Sequence, residues 1–378
     1  MLTQVAAGRA YDFSHSVGRG AQSGMGFNQP VACALGKDNA VYVVNRGSES
    51  ISNVPWNRTG LGARITKVTI GPEPGDEEFI SEFSKYGNGD GEFIWGSGVV
   101  TDSAENVYIS DEWLNQISVF DKDGKFLSKW SALEKEDGVL HGISGITLGP
   151  DENIYLTDGR SHEIRKFSKS GEFLASWGGQ GTNNGEFNGP WGITTDSEGN
   201  VYVADHLNHR VQKFSSTGTW IAQIGRPGTD RGELHLPTGV TVDAEGDVYI
   251  CDWSSNGQHP GRVHVFGPDG TFVTSLVGDA ENLSKWAQMT VDANADYVKR
   301  RREVSLRNAE SEWRFAVPTS VLFDTDTDRL MVVDNQRSRL QIYKKLKNYM
   351  VPQMNLYNTL KSRRPSKEGL QSFSIYVK

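Results

Sequence analysis

An all-β fold, a six-bladed β-propeller, is what this sequence predicts, and three observations predict it. Tyr108, Tyr155, Tyr202 and Tyr249 recur at an interval of 47 residues, and Asp111, Asp158, Asp205 and Asp252 keep the same interval. A repeat of roughly 40–50 residues is the length of a four-stranded propeller blade rather than of a helical solenoid repeat. Within each repeat, short apolar strands alternate with turn sequences, and the chain as a whole carries 42 glycines and few helix-type stretches. One such sheet cannot bury both faces by itself, so the copies must pack against one another around a ring.

Residues 189–220 show the unit most clearly. Trp191–Thr195 forms a first strand, and the Asp-Ser-Glu-Gly-Asn run at 196–200 a turn. Val201–Ala204 forms a second strand that ends on Asp205. The polar loop 206–209 leads to a third strand, Val211–Phe214, and the Ser-Ser-Thr-Gly turn at 215–218 to a fourth. Turn residues between alternating strands make an antiparallel meander.

In chain order, residues 9–18 read as an isolated outermost strand. Blade one follows with Val31–Leu35, Ala40–Val44, Arg64–Ile70 and Phe79–Phe83, and with a long loop over 45–63. Blades two to five cover about 96–130, 143–177, 191–224 and 238–277. The period breaks at 279–314, where a helical insertion is expected around 293–312 without a clean apolar stripe. Blade six resumes at Val317 with three strands. The strand at 9–18 supplies its fourth, which closes the ring and removes the exposed sheet edges. A single propeller domain over 9–350 is therefore expected. The tail at 355–378 lacks repeat character and reads as a mobile or partner-binding segment.

Composition narrows the function. The net charge is −8, and no Lys/Arg-rich stripe dominates, which argues against a nucleic-acid surface. Cys33 and Cys251 lie within expected strands and read as buried apolar residues, with no zinc or disulfide spacing. No apolar run is long enough to span a bilayer and no secretory leader is evident, so a cytoplasmic protein is the default expectation.

The segment 205–214, Asp-His-Leu-Asn-His-Arg-Val-Gln-Lys-Phe, with Gly185–Pro190 and Gly192-Ile193 before it, resembles the NHL repeat signature. That resemblance extends in weaker form over roughly 9–350 and implies the propeller fold, but not a function, because fold and function separate readily. The blade-one loop resembles that of peptidylglycine alpha-amidating lyase. Arg46-Gly47 follows the second strand there and Gly60-Leu61-Gly62 precedes the third. The resemblance implies that Arg46 lines an active site. In that family the arginine neighbours a zinc ion held by three histidines at the openings of first strands. Here those openings carry Val31, Ser97, Ser144, Trp191, Thr238 and Thr319. Arg160 stands in the place of the family's catalytic tyrosine, and His206 in the place of a second arginine. Zinc chemistry is not expected, since a catalytic zinc site needs three protein ligands.

The loops before each first strand and between strands two and three share one end of the ring, the top, and carry the unusual residues. Function tends to reside on such loops. The residues after the repeated Asn or Asp converge there: Arg46, Glu112, Gly159 with Arg160, His206, Trp253 and Asn335. With Trp95, Trp113, Trp191 and Ser144 they suggest a funnel with aromatic walls suited to a small molecule. His206 is the candidate acid/base. Glu112 is a candidate base or orienter of His206, and Arg46 and Arg160 are candidates for holding a carboxylate or oxyanion. Trp95, Trp113, Trp191, Trp253, Ser144 and Asn335 would bind substrate. Trp130, Trp177 and Trp220 read instead as packing between blades. The repeated aspartates read as acceptors for loop backbone.

These residues suit a metal-free lyase or hydrolase acting on a small polar, anionic substrate. A protein-binding scaffold is the alternative, with the 279–314 insertion or the tail as contact to a partner or a second copy. An RNA-binding reading is disfavoured by the acidic balance. No cofactor is expected, and a structural calcium ion in the axial channel is compatible with the architecture.

Overall fold

The computed structural model describes residues 3–53, 56–131, 140–253, 261–296, 299–300 and 313–347. Six antiparallel sheets stand around an axis. Blade one comprises Pro30–Leu35, Ala40–Asn45, Arg64–Thr69 and Glu78–Phe83. Blade two comprises Gly96–Thr101, Val107–Asp111, Gln116–Phe120 and Phe126–Ser131. Blade three runs from Ile143–Leu148 to Phe173–Gly178, blade four from Pro190–Thr195 to Trp220–Ile224, and blade five from Pro237–Val242 to Phe272–Leu276. Blade six takes Pro318–Asp324, Arg329–Asp334 and Arg339–Lys345 from the end of the chain and Arg9–Val17 from its beginning. The ring closes as the repeat pattern predicts.

Three elements differ from expectation. Arg9–Val17 is not outermost, because Thr3–Ala6 folds back on it as a fifth strand. The blade-one loop is not irregular: Ser48–Asn53 pairs with Trp56–Leu61 as a hairpin of its own. The insertion turns helical earlier than its sequence suggests, at Lys285–Ala293. Ser284 caps this helix, its Oγ accepting the Ala287 N–H at 3.3 Å, and the helix buries Trp286 against Phe27. Such a cap supplies an acceptor for one of the N–H groups a helix start leaves unpaired. Residues 295–296 and 299–300 are helical as expected, while 301–312 and the tail at 355–378 lie outside the described residues.

The buried apolar side chains divide into six clusters, and each lies between two neighbouring blades. Val203, Val201 and Phe214 of blade four meet Tyr155 and Ile164 of blade three, for example, and the cluster around Val17, Val43 and Leu340 joins blade six to blade one. Trp177 and Trp220 flank the first of these clusters, and Trp130 packs on Phe167 at 5.3 Å, so all three indoles serve the blade interfaces. Cys33 and Cys251 are buried and unpaired, and burial pushes the Cys33 thiol up to about 12.

First strands line the axis, enclosing a channel of about 230 Å³. In blades two to five they approach so closely that the repeated glycine (Gly98, Gly145, Gly192 and Gly239) is a steric requirement, while Ala32 and Ser320 hold that position in blades one and six. A Cβ on Gly192 would stand 2.4 Å from the Thr238 carbonyl oxygen, and one on Gly145 2.5 Å from that of Trp191. No rotamer change relieves a clash with backbone.

Candidate functional site

The top of every first strand is bulged. In all six blades the register slips just past the opening residue. Val31, Ser97, Ser144, Thr238 and Thr319, and Trp191 with Gly192 in blade four, fall where one strand holds one residue more than its partner. Bulges turn a side chain out of the ladder and recur beside active sites. The six openings singled out in the sequence are thus the six places where the inner sheet wall is bent.

A ring of hydrogen bonds joins these openings from blade to blade. Asn335 Nδ2 donates to the Pro30 carbonyl at 2.9 Å, Arg46 Nε to Gly96 at 3.4 Å, and His206 Nδ1 contacts Pro237 at 3.0 Å. All three donors follow the repeated Asn or Asp, and all three acceptors open the next blade. Glu112 cannot donate, Gly159 has no side chain, and Trp253 turns toward Trp191. In those blades a hydroxyl makes the link: Ser97 to Ile143 at 2.8 Å, Thr157 to Trp191 at 2.5 Å, and Thr238 to Pro318 at 3.1 Å.

His206 is buried, and its ring is set by two constraints. A carbonyl only accepts, so the contact with Pro237 places the proton on Nδ1 and leaves Nε2 as the base nitrogen. Trp191 and Trp253 hold the ring at centroid distances of 5.0 and 6.2 Å, and the two indoles meet edge to face at 6.3 Å. Burial lowers the His206 pKa, so the imidazole is neutral at pH 7. Among the described residues Nε2 has no hydrogen-bond partner.

A second cluster lies at blades one and two. Arg46 Nη2 pairs with Glu112 Oε2 at 3.1 Å, and its guanidinium stands 5.4 Å from the Trp95 ring centroid. Trp95 and Trp113 meet edge to face at 5.4 Å, with Trp113 48% exposed. Glu112 therefore does not orient His206 as the sequence suggested. Its carboxylate goes to Arg46, and the Pro237 carbonyl performs the orienting. Arg160 is exposed and lies over Gly142, where an added Cβ would meet its Cγ at 2.9 Å. Ser144 Oγ contacts the Gly142 carbonyl at 3.4 Å, which places Arg160 and Ser144 at one loop. Asn335 is taken up by the link to Pro30. The structure thus gathers the candidates as two groups, Arg46–Glu112–Trp95–Trp113 and His206–Trp191–Trp253.

The repeated aspartates hold the loops that present these groups. Asp111 accepts the N–H groups of Ile94, Trp95, Trp113 and Leu114, and Asp205 that of Asn188. Gln212 and Arg210 fix the second oxygen of Asp205. His264 takes the corresponding place in blade five, with Nε2 3.3 Å from Asp252 and Nδ1 3.0 Å from Ser275 Oγ. This Asp-His-Ser line is fully buried at its histidine and repeats the role of Gln212. Thr157 was missed by sequence reasoning, and its position carries Ser110, Ala204 and Cys251 elsewhere, so nothing in the pattern marks it.

The six openings offer no histidine, and among the described residues no three His, Cys, Asp or Glu side chains converge for an ion. His209 and His235 stack at 5.8 Å as parallel rings.

Comparison with known proteins agrees with this architecture. Residues 187–214 match the NHL repeat, the unit that opens on Phe187 and ends on Phe214. No curated protein matches the sequence. Among solved structures, a catalytically inactive variant of virginiamycin B lyase from Staphylococcus aureus with quinupristin is 14% identical, covering 88% of this chain and 99% of its own at a TM-score of 0.52. A streptogramin B lyase structure is 12% identical, covering 89% and 97% at 0.51. A protein of unknown function from Bacteroides thetaiotaomicron is 15% identical, covering 90% and 77% at 0.55. At these identities the likeness is one of fold. No helix among the described residues is long and apolar enough to cross a membrane. The chain is a six-bladed β-propeller that carries an NHL repeat and is similar in fold to virginiamycin B lyase.

Proposed function

We propose that the chain is a lyase acting on a small polar, anionic substrate at the top of the ring, with His206 as the group that accepts the proton. The observation that carries this reading is the state of His206: one tautomer, fixed by Pro237, walled by two indoles, with Nε2 unclaimed among the described residues. A general base must be unprotonated at working pH and held in one orientation. Elimination asks for little more. The base takes a proton from carbon, the bond to the leaving group breaks, the electron pair forms a double bond, and the proton passes on to the leaving group. Arg160, exposed on blade three next to blade four, would meet the substrate's negative charge with its planar fork. Arg46 is committed to Glu112 and supports Trp95, so its part is to shape the wall. None of these steps requires a metal ion. Two proteins named as lyases share the scaffold, which supports the choice of reaction class.

The test is to incubate the protein with a panel of anionic compounds and quinupristin and to analyse the products by mass spectrometry. Elimination gives product masses that sum to the substrate mass, whereas hydrolysis adds one water. A His206→Gln variant that retains the wild-type rate on a turned-over compound would remove the assignment.

A protein-binding reading draws on a different place. Ile80, Leu127, Leu174 and Ile221 occupy one position of the outermost strand in four blades, and all are more than 40% exposed. A stable partner recovered by pull-down, together with no turnover of any compound, would favour it.

A further inference from the structure

We infer that blade six holds a binding site for a small molecule carrying a phosphate or carboxylate group, in a cavity beside the insertion that follows blade five. His206 belongs to blade four, so the inference does not depend on the lyase reading.

The other blades show what this place normally holds. The third strands of blades one, four and five open on Arg64, Arg210 and Arg262. A compact loop before the same blade covers each of these arginines. The loops are closed by bridges between Gly20 and Phe27, Gln180 and Phe187, and Pro227 and Leu234. Each turns carbonyl oxygens onto the guanidinium. Arg64 donates to Ala21, Gln22 and Gly26 at 2.8–3.1 Å, Arg210 to Asn183 and Glu186 at 2.8 and 2.9 Å, and Arg262 to Thr229 at 3.1 Å.

Arg339 opens the third strand of blade six, and there the insertion stands where the loop would be. Arg339 Nε pairs with Asp334 at 3.1 Å, and its Nη2 donates to the Arg314 carbonyl at 3.0 Å. Beside it the insertion walls a cavity of about 560 Å³. Small-molecule pockets run from roughly 300 to 1,000 Å³. Trp313 and Leu283 supply an apolar part of the wall, which suits an organic group attached to the anion.

The charged lining is positive on balance. Among the described residues it comprises Arg19, Arg337 and Arg339 against the exposed Glu281. Arg337 departs from the repeat. It stands one residue before the left-handed residue that precedes the third strand, a place taken by Leu114, Ser161 and Asn208 in blades two, three and four. The scaffold therefore does not need a guanidinium there. Burial lowers the Arg339 pKa, Asp334 opposes the fall, and the Arg337 charge adds to it, so the two cations act on each other. Like charges gathered at one cavity repel, and a bound oxyanion relieves that repulsion. Guanidinium groups meet phosphate and carboxylate oxygens with paired N–H donors. The helix Lys285–Ala293 starts at the same wall, but Ser284 accepts the Ala287 N–H at 3.3 Å and Glu77 that of Lys285 at 3.0 Å. The guanidinium groups thus supply the attraction.

The experiment is titration calorimetry of the whole chain in a phosphate-free buffer, with pyrophosphate and citrate as probes and glycerol as neutral control. Wild type is expected to bind pyrophosphate or citrate and not glycerol, the tighter of the two telling phosphate from carboxylate. Arg337→Asn should bind about tenfold more weakly, the size of one hydrogen bond to a charged group. Glu281→Gln removes an opposing carboxylate and should bind up to about fivefold more tightly, a gain that damage to the fold does not produce. Arg226→Gln, at an exposed arginine paired with Glu233 before blade five, should bind as wild type does. Failure of wild type to bind either anion would overturn the inference. So would Arg337→Asn binding as tightly as wild type, or Glu281→Gln binding more weakly. Equal weakening by Arg226→Gln and Arg337→Asn would reduce the binding to general surface charge and overturn it as well.

Discussion

His206 Nδ1 lies 3.0 Å from the carbonyl oxygen of Pro237, so the contact that links blade four to blade five also sets the tautomer of the one buried imidazole in the mouth of the ring. Asn335 and Arg46 make the same link in their own blades. In blade four the linking residue happens to be titratable. By nitrogen-15 NMR, His206 should therefore show a protonated Nδ1 and a bare Nε2 at pH 7. Burial lowers its pKa, so it should gain charge only below the ordinary histidine value near 6.5. The acid limb of kcat/KM should follow that same titration.

Loss of an inter-blade link can be measured where it touches no candidate substrate group. Thr238 is buried and donates to the Pro318 carbonyl. Thr238→Val keeps the shape and leaves that carbonyl unpaired, which should lower unfolding stability in urea by about 1–3 kcal/mol. An unchanged midpoint would show that water replaces the hydroxyl.

Ring closure depends on a charge cluster at the other end of the blades. Lys345 Nζ meets Asp243, Glu245 at 2.9 Å and Asp247 at 3.0 Å, and Arg9 pairs with Asp247 at 2.7 Å. These bonds tie the two blade-six strands Arg339–Lys345 and Arg9–Val17 to a blade-five hairpin. The carboxylates raise the Lys345 pKa against the cost of its burial. Lys345→Met leaves the buried Asp243 carboxylate without its cation, Asp247 keeping Arg9, and should cost about 3–5 kcal/mol, as breaking a buried pair does. Arg9→Met leaves Lys345 in place and should cost clearly less. Equal losses in the two variants would contradict this account of closure.

His15 gives the stability a pH slope. Burial, followed by the nearby Arg329 charge, lowers its pKa from 6.5 to about 4. Its folded pKa is the depressed one, so the unfolded chain binds more protons between those values. The contribution is full above pH 6.5 and is lost progressively as pH falls to about 4. A shift of this size corresponds to roughly 3 kcal/mol at most. Unfolding midpoints of wild type should fall across that window, and His15→Leu should flatten the fall.

The ring itself was legible in the sequence because a blade repeats its constraints. The tyrosine and aspartate intervals reflect strand ends that must meet at one radius, and the glycines at 98, 145, 192 and 239 reflect close approach at the axis. Features present once were harder to see. The Ser48–Asn53 hairpin looked like a loop because its Gly, Ser and Asn content is that of turns. The helix at Lys285–Ala293 was placed too late because only Trp286 of it is buried, so its apolar stripe is one residue wide. At the site, the sequence brought His206, Trp191 and Trp253 to one end of the ring but paired His206 with Glu112. The true partner is a backbone carbonyl, which no side-chain pattern reports.

Whether His206 accepts the proton of an elimination is decided by turnover of one converted compound by wild type and His206→Gln, with the products weighed. Product masses should sum to the substrate mass with a new carbon–carbon double bond, and kcat should fall about a hundredfold or more in the variant, the size a general base supplies. An unchanged kcat in His206→Gln, or products heavier than the substrate by one water, would contradict that role.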